Sequence, residues 1–173
     1  KLHEGNLTFI FDADTNPSKY DDWTFYRNQF QNGCSLGNKA VDFVCHKGNT
    51  AWLIEAKDYR SQARTKSIDL ADEIAIKVRD TLAGLVAAQI QANDHYERQF
   101  ARKLLKAQFV RVVCHIEQPT KHSRLRPRAI EPDKLKQKLR TLLKAIDPHP
   151  IVVDRSLIPA EMPWQVQLSL SLI

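Results

Sequence analysis

Two short apolar runs on either side of a turn signal constrain this chain more than any other feature. Ala40-Val41-Asp42-Phe43-Val44-Cys45-His46 and Ala51-Trp52-Leu53-Ile54-Glu55-Ala56-Lys57 flank Gly48-Asn49. A Gly-Asn pair between β-formers is a two-residue hairpin turn of the primed type. With Gly48 and Asn49 as the loop, Lys47 pairs with Thr50, and the same register sets Asp42 opposite Glu55. Lys57 falls on that face one strand period further on. The other face collects Val41, Phe43, Cys45, Trp52, Ile54 and Ala56 and reads as core. A slip of one residue would separate the two acids.

Directly opposed carboxylates repel and weaken a hairpin. A divalent cation between them removes the conflict, and two carboxylates, a strand carbonyl and waters form an oxygen shell that suits Mg²⁺ or Mn²⁺. Beside such an ion, Lys57 can orient or deprotonate a water, or hold a phosphate oxygen. The competing reading is an exposed strand face with solvated acids. His46 shares the predicted site face, although a wetted strand end accounts for it better.

Elsewhere the pattern interleaves strands and helices. Asn6 to Asp12 alternates as a strand, and Asp12 to Ser18 is a turn-rich break around Asn16-Pro17. Trp23, Tyr26 and Phe30 fit either a helix or a strand. A long helix is expected from Asp69 to Ala92, with a stripe of Ile74, Val78, Leu82, Leu85, Val86 and Gln89. Its expected seat is the face of Phe43 and Ile54. Tyr96 to Lys106 continues as helix, Phe109 to Ile116 is a buried strand, and Glu131 to Ile146 is a helix opened by Pro132. Ile151 to Asp154 and the alternating stretch from Trp164 add C-terminal strands. The fold class is α/β, a mixed central sheet flanked by helices, in a single domain over 1–173.

Charge is uneven along the chain. Residues 61–146 hold 18 basic and 9 acidic side chains, whereas residues 1–60 hold 7 and 8. The surplus centres on a basic segment, 121–144, with Arg124, Arg126, Arg128, Lys134 and Lys138. Clustered cations of this kind gain affinity for nucleic acid by releasing phosphate counterions. Cys34, Cys45 and Cys114 are an odd number, two of them in apolar runs, and read as reduced thiols in a cytoplasmic protein. Cys45-His46 and Cys114-His115 have no zinc-module spacing. No apolar run reaches membrane-span length, and Lys1 to Asn6 is no signal peptide. No Gly-rich phosphate loop, G-x-S-x-G or H-E-x-x-H motif is present.

Val41-Asp42, a short gap, then Leu53-Ile54-Glu55-Ala56-Lys57 resembles the PD-(D/E)XK nuclease superfamily of restriction enzymes and Holliday-junction resolvases. The likeness covers residues 40–58, and the following helix and the 109–116 strand fit more loosely. The resemblance implies a restriction-endonuclease-like αβββαβ core. It implies a metal-dependent nuclease hydrolysing phosphodiester bonds, with DNA ahead of RNA as partner and a homodimer as one working form. The alternative is a non-catalytic nucleic-acid-binding subunit of the same fold. Asp42 and Glu55 would hold Mg²⁺ or Mn²⁺ with the Ala56 carbonyl, and Lys57 would serve the attacking water. Val41 stands where the motif has proline. For a further acid the candidates are Glu4, Asp21 and Asp22, with Asp22 placed first. Tyr59 or Arg60 would reach a phosphate.

Overall fold

The computed structural model describes residues 1–35, 37–62, 64–119 and 130–169. Five strands form a mixed sheet in the order β3 (Asn16–Lys19), β4 (Phe43–Lys47), β5 (Thr50–Asp58), β6 (Phe109–Glu117) and β7 (Ile151–Val153). The β3-β4-β5 half is antiparallel, and β6 and β7 run parallel to β5. A smaller antiparallel sheet combines β1 (Leu2–Glu4), β2 (Leu7–Phe11) and β8 (Trp164–Leu168). Among the described residues no helix is long and apolar enough to cross a membrane.

The hairpin has the expected register. Lys47 pairs with Thr50 and Phe43 with Ile54, and Gly48 has φ 55°, the positive value a primed turn requires. Helix α1 (Leu70–Gln91) begins where Asp69 accepts a hydrogen bond from the Ala71 N–H at 2.8 Å. That is an N-cap, and Asp72 and Glu73 in the first turn add favourable charge at the positive helix end. Helix α2 (His95–Leu104) is capped in the same way by Asp94, and α3 (Pro132–Leu142) starts on a proline.

Both faces of the main sheet are buried, which goes against the competing reading of an exposed strand face with solvated acids. Val44, Leu53, Val112 and Cys114 point into a core with Ile74, Val78, Leu85 and Ala88 of α1. Phe43, Cys45, Trp52, Ile54 and Ala56 form a second core with Phe9, Trp164 and Val166 of the small sheet. Helix α1 therefore packs on the face of Val44 and Leu53, not on that of Phe43 and Ile54. The small sheet supplies large aromatic contacts to the latter face, with Phe9 and Phe43 ring centres 4.9 Å apart and Trp52 and Trp164 5.3 Å apart.

Other boundaries shift. The break at Asp12 to Ser18 contains edge strand β3, where Pro17 pairs with Cys45; proline is tolerated at a sheet edge because its missing N–H leaves no inner ladder bond unmade. The open stretch near Trp23 is neither regular α-helix nor strand, but a 3₁₀ turn at Tyr20–Asp22 and a π-helical turn at Tyr26–Phe30. Val86 is 49% exposed and lies off the α1 stripe. The leading helix of an αβββαβ order has no counterpart before β3, because the described chain opens with β1 and β2.

Candidate functional site

The hairpin register carries Asp42 and Glu55 to one place beneath α1. Glu55 is only 1% exposed and Asp42 6%. Asp42 lies one residue before β4, where its Oδ2 accepts a hydrogen bond from the Ala56 N–H at 2.7 Å. Ala56 therefore contributes its N–H to Asp42, in addition to the carbonyl role expected of it. Lys57 Nζ donates to Glu55 Oε1.

Lys77 of α1 completes the group. Its Nζ is 2.6 Å from Glu55 Oε1 and 3.6 Å from Asp42 Oδ1. The sequence reading missed this residue. Its signal is a polar stripe at helical spacing, Glu73, Lys77, Asp80 and Thr81, of which Glu73, Asp80 and Thr81 are buried. Asp80 accepts from the Lys39 N–H and Thr81 from the Val41 N–H, so this stripe also fixes the chain leading into Asp42. Glu73 takes ion pairs from Arg64 and Lys66 at 2.7 and 2.6 Å.

A second acidic edge comes from the N-terminal strands. The Tyr20 N–H donates to the Asp42 carbonyl at 3.0 Å and brings the 3₁₀ turn alongside. Carboxylate oxygens of Glu4, Asp21 and Asp42 lie within 4.8 Å of one another. Of the candidate further acids, Glu4 and Asp21 therefore join Asp42. Asp22 does not; it pairs with Arg27 and stands 3.9 Å from Lys19. Successive residues of a 3₁₀ turn point about 120° apart, so Asp21 and Asp22 cannot share a direction.

Burial dominates the titration of these groups. Loss of solvent pushes Glu55 up to about 7, with Asp42 adding to the rise and Lys77 and Lys57 opposing it. Burial likewise lifts Asp21 to about 6. Burial works against the Lys57 ammonium, but Glu55 and Asp42 outweigh it and raise its pKa. Glu55 Oε2 and Asp21 Oδ1 are buried without a hydrogen-bond partner. Unmatched carboxylate oxygens in an otherwise packed site suit a hard divalent cation, which would displace their protons, so the residues present fit Mg²⁺ or Mn²⁺.

The remaining expected contacts disperse. Arg60 is held by Asp58 through Nε at 2.8 Å and Nη2 at 2.5 Å. Tyr59 accepts from Arg64 at 3.5 Å. His46 sits at the far end of β4 opposite Ala51, away from the acids. Lys138 is 2.8 Å from Asp72 and 3.1 Å from Asp69, a brace between α3 and α1, while Lys134 is exposed. Arg124, Arg126 and Arg128 lie outside the described residues. The flanks of that segment meet where the Gln118 side chain bonds both the N–H and the carbonyl of Ile130 at 2.9 Å. Cys45 and Cys114 are buried free thiols as expected, and Cys34 is exposed.

Over 156 aligned residues the chain is 36% identical to a cysteine–tRNA ligase of Neisseria meningitidis serogroup A, a match covering 73% of this chain and 22% of the relative. The match therefore spans about a fifth of that protein's length. No protein-family model and no solved structure matches. The ligase match overturns the resemblance to PD-(D/E)XK nucleases. It corrects with it the metal-dependent DNA nuclease, the phosphodiester-hydrolysing enzyme and the nuclease-type binding subunit. A cation is one way to relieve Asp42 against Glu55, and not the only one. In the folded chain the Lys57 and Lys77 ammoniums already do so, and an acid-acid-lysine pattern need not cut anything.

Proposed function

We propose that this chain is a tRNA-ligase-related domain that binds RNA of the tRNA kind and holds a divalent cation among its buried acids. The observation that carries the reading is the match to a cysteine–tRNA ligase over 73% of the chain. The basic surplus of residues 61–146 supports it, because it gives a polyanion a surface to hold. RNA replaces DNA as the expected partner because of the ligase match, since cationic surface alone attracts either, and a cytoplasmic location belongs to the same reading. Lys134 and the arginines at 124, 126 and 128 are the proposed phosphate contacts.

The finer architecture is part of the proposal. In this reading strands β3, β4 and β5, helix α1 and strand β6 would be the βββαβ portion of a restriction-endonuclease-like core, kept as a scaffold without hydrolytic activity. Asp42 and Glu55, with Glu4 and Asp21 beside Asp42, would hold Mg²⁺ or Mn²⁺. A bound ion of this type neutralises carboxylates and offers its other positions to water or phosphate oxygens. The Ala56 N–H fixes the Asp42 carboxylate, and the core around Val44 and Leu53 keeps bulk solvent from Glu55.

Fluorescence anisotropy with a labelled tRNA transcript in Mg²⁺ buffer tests the reading. Saturable binding that weakens steeply with salt is expected. An anisotropy that stays flat up to the highest attainable protein concentration would overturn it.

A further inference from the structure

Lys77 stands where the proposed cation would have to sit. Its ammonium bridges the two acids, 2.6 Å from Glu55 Oε1 and 3.6 Å from Asp42 Oδ1. Lys57 donates to the same Oε1, so two ammoniums crowd one oxygen while Oε2 of that carboxylate is buried with no partner. Like charges sharing one acceptor repel, and an unmade bond at a buried carboxylate is unfavourable. The cluster is neutralised, but its charge is badly distributed.

The two lysines are anchored differently. Lys57 lies on β5, paired in register with Ile116 of β6. Lys77 rises from α1 between the buried Ile74 and Val78, so the helix is fixed while the ammonium sits on a flexible four-carbon stem. The Lys77 and Lys57 side chains keep 15% and 17% exposure while Glu55 has none, so exposure does not separate the lysines; the bridge of Lys77 to both acids does.

We propose that Lys77 is an exchangeable counter-ion for this site. It neutralises Asp42 and Glu55 when no divalent cation is bound and swings out when one takes the carboxylates. The released ammonium then takes a phosphate oxygen of bound RNA. The inference rests on the cation and RNA reading above and adds a coupling to it. Cation and RNA strengthen each other's binding, and by linkage the factor is the same in both directions.

Calorimetry with Mn²⁺ on the full chain tests this, using wild type, Lys77→Met, Lys77→Gln and the distant control Lys47→Ala, with thermal melts confirming that each is folded. Lys47 pairs with Asp12 and Asp14 at the far end of the hairpin. Wild type should bind Mn²⁺, and the two Lys77 variants should bind it at least about tenfold tighter, because no charge-assisted bond must be broken first. Lys47→Ala should stay within about twofold. Saturating tRNA should tighten Mn²⁺ binding to wild type but leave Lys77→Met unchanged. Folded Lys77 variants that bind Mn²⁺ no tighter than wild type would overturn the exchange and leave the cation site standing. No Mn²⁺ heat from wild type or either variant would overturn the cation site and the exchange together.

Discussion

Lys77 on α1 and Glu55 on β5 are 22 residues apart in the chain and 2.6 Å apart in space. That ion pair ties the long helix to the centre of the sheet, inside a charged cluster bordered by the aliphatic core of Val44 and Leu53. It turns the opposed acids of the hairpin from a repulsive pair into part of a compensated cluster, in which Glu55 depends on two lysines from two different elements.

The titration of Glu55 makes stability depend on pH in a definite direction. Its folded pKa of about 7 lies above its ordinary 4.5, so the folded chain holds this proton more tightly than the unfolded one. The associated stability is present in full below about pH 4.5 and is lost as pH rises through 7. Asp21, lifted to about 6, acts in the same sense. Melting temperature in chelator should therefore fall between pH 5 and 8, and Glu55→Gln should flatten much of that decline. An unchanged slope in the variant would contradict the burial effect assigned to Glu55.

Gly84 tests how closely α1 approaches the N-terminal turns. A Cβ there would come within 2.0 Å of the Tyr20 hydroxyl and 3.2 Å of the Phe30 ring. Gly84→Ala gains helix propensity, yet overpacking should win and destabilise the fold by about 1–3 kcal/mol. Chemical denaturation would measure it, and a stabilised variant would contradict the packing described.

The basic segment makes a prediction about salt. Replacing Arg124, Arg126 and Arg128 with alanine should flatten the plot of log affinity for tRNA against log salt by about two to three units. Lys138→Ala should alter it little, since that ammonium is already engaged by Asp69 and Asp72. Anisotropy titrations across a salt series read both. A triple variant with the wild-type slope would return the segment to ordinary solvated surface.

Much of this was legible along the chain because local chemistry dictated it. Gly48-Asn49 set the hairpin register that brings Asp42 near Glu55, and Asp69 marked the start of α1. What escaped was long-range. Alternation separates the two faces of a strand but does not say which face meets a helix, so α1 was placed against Phe43 rather than Val44. Val44 and Leu53, apolar neighbours of the acids, already hinted that this face was buried. An apolar stripe carries no information about the polar residues interleaved with it, so Lys77 gives no signal in that pattern. Asp21 and Asp22 were indistinguishable until the 3₁₀ turn gave them different directions. The nuclease reading failed on function, since three common residue types in register specify a charge cluster and not what it does.

Competition binding tests the central claim most directly. Labelled tRNA would be held by the protein in Mg²⁺ buffer and displaced with unlabelled tRNA or with duplex DNA matched in phosphate number. The RNA-binding account predicts that unlabelled tRNA displaces the probe at least about tenfold more effectively, because matched phosphate number equalises the sequence-independent electrostatic attraction and leaves RNA shape and its 2′-hydroxyls to discriminate. Equal or better displacement by the DNA duplex would contradict the account.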